Sequence, residues 1–446
     1  MTPTTLGWLG IVRLGLVQTA LGAIVVLTTS TLNRVMVVEL ALPATLPGAL
    51  VAMHYAVQML RPRLGYGSDV SGRATPWIVG GMAVLCTGGL LAALATAWMT
   101  TNHWPGIALA VVAFLLIGVG VGASGTSVLV LLAKRVVEER RAAAATIVWL
   151  MMIAGIAVTA GVAGHLLDPF SPERLVAVAG GVVAFAFLLT LAAVWGVERG
   201  SHAVADRDGA KAPFLEALAQ VWAEPQARRF TVFVFVSMLA YSAQDLILEP
   251  FAGLVFGMTP GESTKLAGLQ HGGVLLGMIA VALAGSFGRG RFGSLRAWTI
   301  GGCLASAVML AGLAAAGYVG PGWPLRPTVF GLGMANGAFA VAAIGSMMGL
   351  AGSGREAREG VRMGLWGAAQ AIAFGLGGFS GTVAADLARH LMGSPDIAYG
   401  TVFAGQAALF VISAGLAARV GDTTPARAPA PTPTAGARLA AGLGGR

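Results

Sequence analysis

Arg63-Leu64-Gly65-Tyr66-Gly67-Ser68-Asp69-Val70-Ser71-Gly72-Arg73 runs into Trp77-Ile78-Val79-Gly80-Gly81, and Trp298-Thr299-Ile300-Gly301-Gly302 repeats the second phrase in the other half of the chain. A short basic loop opening into an apolar Trp-x-x-Gly-Gly segment, twice in one chain, is the mark of two parallel membrane repeats. On either side of it, apolar runs of the roughly 20 residues that cross a bilayer recur along the whole length. They fall near 13–38, 44–62, 75–98, 106–133, 142–166, 175–197, 229–257, 265–287, 296–318, 327–351, 361–385 and 397–419. The expectation is an all-α membrane protein with twelve spans in two sets of six.

Composition agrees. Hydrophobic residues make up 56% of the chain and charged residues 11%, whereas a soluble domain carries about 25% charge. Glycine occupies 65 of 446 positions, which suits helices that pack through small residues in lipid. About 23 of the 28 Lys and Arg residues fall in the N-terminus, the even-to-odd loops and the C-terminus, so both termini are expected in the cytoplasm. The net charge of +9 then follows from topology and contact with anionic lipid, not from nucleic acid. MTPTTLGWLG has neither a basic n-region nor a small-residue cleavage site, so the first span is expected as an uncleaved helix. Cys86 and Cys303, the only cysteines, sit in apolar runs and read as packing residues.

The chain divides into a first six-helix bundle over 1–197, a polar linker over 198–228, a second bundle over 229–420 and a Pro/Ala-rich tail over 421–446, expected to be disordered. Within the linker, Phe214, Leu215, Leu218 and Trp222 predict an amphipathic helix lying on the cytoplasmic interface. Arg141 precedes Trp149 by the interval separating Arg358 from Trp366, and Asp168 and Asp386 close the two helices concerned. Glycine ladders at Gly118-Gly120-Gly122-Gly125 and Gly331-Gly333-Gly337 predict close packing of the fourth and tenth spans.

Gly65-x-x-x-Asp69-x-x-Gly72-Arg73 after the second span resembles the signature loop of the major facilitator superfamily. Asn33-Arg34-Val35-Met36-Val37-Val38-Glu39-Leu40, with Pro43 and Arg61-Pro62-Arg63-Leu64-Gly65-Tyr66-Gly67-Ser68-Asp69, resembles the PucC-like, bacteriochlorophyll-delivery family within it. That family includes PucC and LhaA; the resemblance is strongest to its branch historically named for the bacteriochlorophyll synthase 44.5 kDa chain. It implies a protein of the bacterial inner or intracytoplasmic photosynthetic membrane that handles bacteriochlorophyll, bound transiently. Such a protein delivers pigment to light-harvesting or reaction-centre polypeptides, with the pigment synthase as a further partner. Two rivals are a facilitator-type transporter of a small amphipathic compound and an apoprotein chaperone that binds no pigment. Enzyme chemistry is not expected. A pigment prenyltransferase needs paired Asp-rich motifs holding Mg²⁺ on a diphosphate, and only Asp206-x-Asp208 comes near.

By the same resemblance the first and seventh helices face each other across a central cavity, and Gly65, Asp69, Gly72 and Arg73 form the inner gate. Buried charge in a membrane is costly and usually functional, which singles out Arg34, Glu39, Asp245 and Glu249 as an outer gate. At ~1.5 Å per residue, Arg34 lies about 31 Å beyond Arg13, and Asp245 and Glu249 lie about 24 and 30 Å beyond Arg229, sharing a face at i and i+4. Arg34 either pairs with Asp245 or Glu249, closing the outer mouth, or each charge is solvated separately. A superfamily Arg associated with proton coupling is missing from the fourth span, and a Gly-Pro pattern from the fifth. Both departures weaken the transporter reading. For pigment, the Mg²⁺ wants an axial ligand, which neutral imidazole suits. His54 with Gln58, and His271 with Gln270, are the candidates; the bland reading of each is a packing histidine bonded to a neighbour.

Overall fold

The structure, a computed structural model, describes residues 6–60, 73–198, 222–287, 294–352 and 359–420. Among these residues eleven helices are long and apolar enough to cross a membrane. In chain order we label them α1 (Trp8–Glu39), α3 (Thr75–Trp98), α4 (His103–Arg135), α5 (Glu138–Leu166), α6 (Pro172–Val194), α7 (Pro225–Phe256), α8 (Pro260–Phe287), α9 (Leu295–Val319), α10 (Leu325–Gly352), α11 (Glu359–Met392) and α12 (Pro395–Arg419). Between α1 and α3 stands the shorter α2 (Thr45–Val57), prolonged by a 3₁₀ turn over Gln58–Leu60. Every backbone polar group in a bilayer must be satisfied inside its own segment, which is why runs this apolar become helices. Proline within the first two positions starts α3, α6, α7 and α12, where its missing N–H has no helical partner to lose.

Two helices depart from the regular form the sequence predicts. α1 is α-helical over Trp8–Val26 and Leu32–Arg34 but π-helical over Leu27–Thr31 and Val35–Glu39. α7 is interrupted: one segment ends at Asp245 and the next runs Leu248–Phe256. The cause is Pro250. It has no N–H to give the carbonyl four residues back, which is that of Leu246.

Apolar side chains gather into two main cores, one of residues from Ile11 to Val197 together with Leu246, the other from Phe230 to Val420. Across the seam α2 packs on α11 and α5 on α8. The glycine ladders pack as expected. A Cβ on Gly120 would strike the backbone of Leu85 in α3, and one on Gly337 the carbonyl of Val274 in α8. The two matched tryptophans differ in surroundings: Trp149 is exposed and Trp366 is buried. The tail and the interfacial helix expected in the linker lie outside the described residues, apart from Trp222.

Candidate functional site

The bundle has a near end, carrying Trp8 and Arg419, and a far end, where α1 stops at Glu39. At the far end the first six helices are bonded to the second six. Asn33 Nδ2 donates to the Leu246 carbonyl at 2.7 Å, filling the acceptor that Pro250 leaves empty. Thr31 and Thr264 share a hydroxyl hydrogen bond of 3.1 Å. Arg34, only 2% exposed, donates through Nη2 to the Met258 carbonyl.

Arg34 forms its ion pair with Glu39, not with Asp245 or Glu249 as one reading of the sequence held. In an α-helix residues five apart point to different faces. The π-helical turn over Val35–Glu39 follows an i to i+5 register and aligns them. Separate solvation does not describe the site either. Glu249 is 3% exposed and lies within electrostatic reach of Ser30, Arg34 and Asp245. The regular i, i+4 relation of Asp245 and Glu249 is replaced by the break in α7. Asp245 Oδ1, Glu249 Oε2, Arg34 Nε and Asn33 Oδ1 are buried without a hydrogen-bond partner among the described residues, and Ser30 lies against the Glu249 carboxyl. Polar atoms of both signs are thus concentrated where α1 crosses α7, in a setting where an unpaired group is costly.

Two aspartates reinforce the same end. Asp386, at the end of α11, accepts from Ala44 N at 3.0 Å and Thr45 N at 2.7 Å, and from the Thr45 hydroxyl. Its carboxylate caps α2, where orphan N–H groups and the helix dipole favour negative charge. Asp168, just past α5, accepts from Thr259 Oγ1 at 2.9 Å and pairs with Lys265 at 3.6 Å. There it meets the start of α8, where Thr259 and Glu262 form a capping box with bonds of 3.0 and 3.1 Å. Sequence spacing marked these aspartates as a matched pair without revealing their partners. The signal that would have led to them is the Thr-x-x-Glu box. Asn33, part of the run that carries the family resemblance, has no partner legible in the sequence, although Pro250 implies an empty carbonyl four residues back.

Among the described residues, two near-end groups bond within the first six helices. Arg13 donates to the carbonyls of Ala193 and Trp195, and Glu198 caps α3 through Ala74 N at 2.9 Å and Thr75 N at 2.7 Å. Of the inner-gate residues, Gly65, Asp69 and Gly72 lie outside the described residues, and Arg73 is exposed just before α3.

The histidines differ. His54 is 3% exposed; its Nε2 lies 2.8 Å from Gln58 Nε2, and its ring meets Tyr55 edge-on at 4.9 Å. His271 is half-buried, and its Nδ1–H donates to the Ala267 carbonyl at 2.9 Å, which leaves Nε2 as the nitrogen carrying the lone pair. It follows Thr264 by two helical turns and so shares the face that meets α1. Counted from Pro260 it lies about 16 Å into α8. Gln270 is buried instead against α10, where Gly333 leaves room for its backbone. Tyr55 towards the end of α2 and Tyr241 near the middle of α7 tilt against Phe374 of α11 at 5.6 and 5.8 Å, an aromatic group drawn from three helices.

Residues 31–424 match the family described as PUCC protein. The chain is 57% identical over 418 residues to the bacteriochlorophyll synthase 44.5 kDa chain of Rhodobacter capsulatus, covering 93% of this chain and 96% of that one. With protein PucC of the same organism it shares 30% identity over 431 residues, 91% of each. Among solved structures the nucleoside transporter NupG overlays with a TM-score of 0.66 at 13% identity, over 92% of this chain and 98% of that one. That likeness shows the fold alone, the two-bundle fold of the major facilitators.

Proposed function

We propose, from the premise that this chain belongs to the PUCC protein family, that it holds bacteriochlorophyll or a late precursor and hands it to light-harvesting or reaction-centre polypeptides during assembly. The handover runs laterally within the photosynthetic membrane. The observation that carries this reading is His271: a half-buried imidazole on the α8 face toward α1, oriented by its Nδ1–H bond to Ala267. A histidine fixed through one nitrogen presents the other to a metal in a defined direction. Bound pigment would supply a Mg²⁺ that accepts a nitrogen donor and a long apolar tail that needs a lipid-like wall. His271 Nε2 fits the first, and the Tyr55, Tyr241 and Phe374 rings suit a flat conjugated macrocycle. His54 is the weaker candidate, because Gln58 engages its Nε2. The chain's part is to bind, orient and release. Catalysis is not part of this reading, although the similar Rhodobacter protein carries a synthase name.

A second reading, a facilitator-type transporter of a small amphipathic compound, is favoured by the inter-bundle bonds that join the far end, as a closed gate there requires. The experiment that separates the two is a mild-detergent pull-down from photosynthetic membranes with pigment analysis of the eluate. Pigment together with antenna or reaction-centre subunits supports delivery. Subunits without pigment favour an apoprotein chaperone, and neither favours the transporter.

A further inference from the structure

At the near end, between the start of α7 and the end of α12, lies a cavity of about 530 Å³ lined by Trp222, Arg228, Arg229, Val232, Leu416 and Arg419. Among the described residues no carboxylate lines it. Positive charge is common on one rim of a membrane protein, so what matters is how these arginines differ from their neighbours. Three other arginines on this rim bond to backbone carbonyls, Arg13 to Ala193 and Trp195, Arg141 to Val136 and Arg296 to Ala418, and Arg140 lies over the Trp8 ring. The last carbonyls of α12 are already occupied, Ala418 by Arg296 and Val420 by Gln226 at 3.5 Å. The guanidinium groups of Arg228, Arg229 and Arg419 have neither a carbonyl nor a carboxylate partner among the described residues. Three cations converging on one space repel one another unless an anion stands between them. The far-end cavity of about 420 Å³ offers a contrast, since its Arg389 is matched by Asp386 at 3.8 Å.

We propose that this cavity is a binding site for the phosphate of an anionic amphiphile, a phospholipid headgroup held by Arg228, Arg229 and Arg419. Guanidinium forks match phosphate oxygens two at a time. Val232 and Leu416 supply an apolar wall on which an acyl chain continues from the headgroup, and Trp222 gives the mixed polar and apolar edge typical of the headgroup level. The apolar wall selects a lipid phosphate over a soluble one.

The test is native mass spectrometry of the delipidated full-length protein titrated with phosphatidylglycerol or phosphatidylcholine of matched chains. The wild type is expected to favour phosphatidylglycerol, and each Arg→Gln change at 228, 229 or 419 to weaken that preference about fivefold. Arg326→Gln, on the opposite rim, leaves it unchanged. If the variants at 228 and 229 do not fold, Arg419→Gln alone carries the comparison. Equal binding of the two lipids, or a preference that survives the substitutions, overturns the proposal. Displacement of phosphatidylglycerol by inorganic phosphate, but not by chloride at equal ionic strength, assigns the site to a soluble anion and overturns it as a lipid site.

Discussion

Arg34 carries the largest electrostatic demand in the site, because its buried guanidinium balances acids of unequal exposure. The Glu39 side chain is 36% exposed and remains hydrated if left alone, whereas Glu249 is enclosed. Arg34→Ala is therefore expected to lower stability by about 3–5 kcal/mol, the cost of stranding a buried charge. Adding Glu249→Gln should recover part of that loss, and adding Glu39→Gln should recover little. Thermal unfolding in detergent across the two double-mutant cycles checks this, and strictly additive losses in the Glu249 cycle would count against shared electrostatics. His271 gives the second residue-level expectation. His271→Leu keeps an apolar helix but removes the nitrogen donor, so bound pigment falls. His271→Gly leaves a pocket that water or added imidazole enters, so pigment binding returns with imidazole. An unchanged tetrapyrrole spectrum in the Leu variant would remove His271 as axial ligand.

The break in α7 and the caps on α2 and α8 show where local sequence rules stop being sufficient. Asn33→Ala should cost about 1–3 kcal/mol, because it leaves the buried Leu246 carbonyl without a donor. Pro250→Ala restores an N–H that can reach that carbonyl, so Asn33→Ala in that background is expected to cost less than half as much. Equal costs in both backgrounds would refute the link between Pro250 and Asn33. Asp386→Asn keeps the shape but replaces a charge-assisted acceptor worth roughly 1.5–3 kcal/mol. It should loosen the α2–α11 seam, which a faster reaction of an Ala41→Cys variant with an impermeant maleimide would report. An unaltered labelling rate would mean that the cap does not hold the far end shut. The apolar runs were readable as helices because length and hydropathy decide insertion in lipid. So were the matched aspartates, by spacing alone. The π-helical register joining Arg34 to Glu39 was not readable, because the partners that stabilise it, Met258 and Leu246, come from the other half of the chain.

Across the whole molecule, the far end is joined across the seam by Asn33, Arg34, Asp168 and Asp386, while His271 and the Tyr241–Phe374 contact lie further along their helices. The layout of two bundles followed from the doubled Trp-x-x-Gly-Gly phrase. The chemistry between the bundles did not, since it depends on contacts between residues more than two hundred positions apart. The most direct measurement is the absorption spectrum of the full-length protein purified in mild detergent from pigment-producing cells. Delivery predicts a bacteriochlorophyll or precursor band in fixed stoichiometry that falls in His271→Leu. A protein that purifies without tetrapyrrole, from membranes where the pigment is abundant and the protein remains folded, would contradict it.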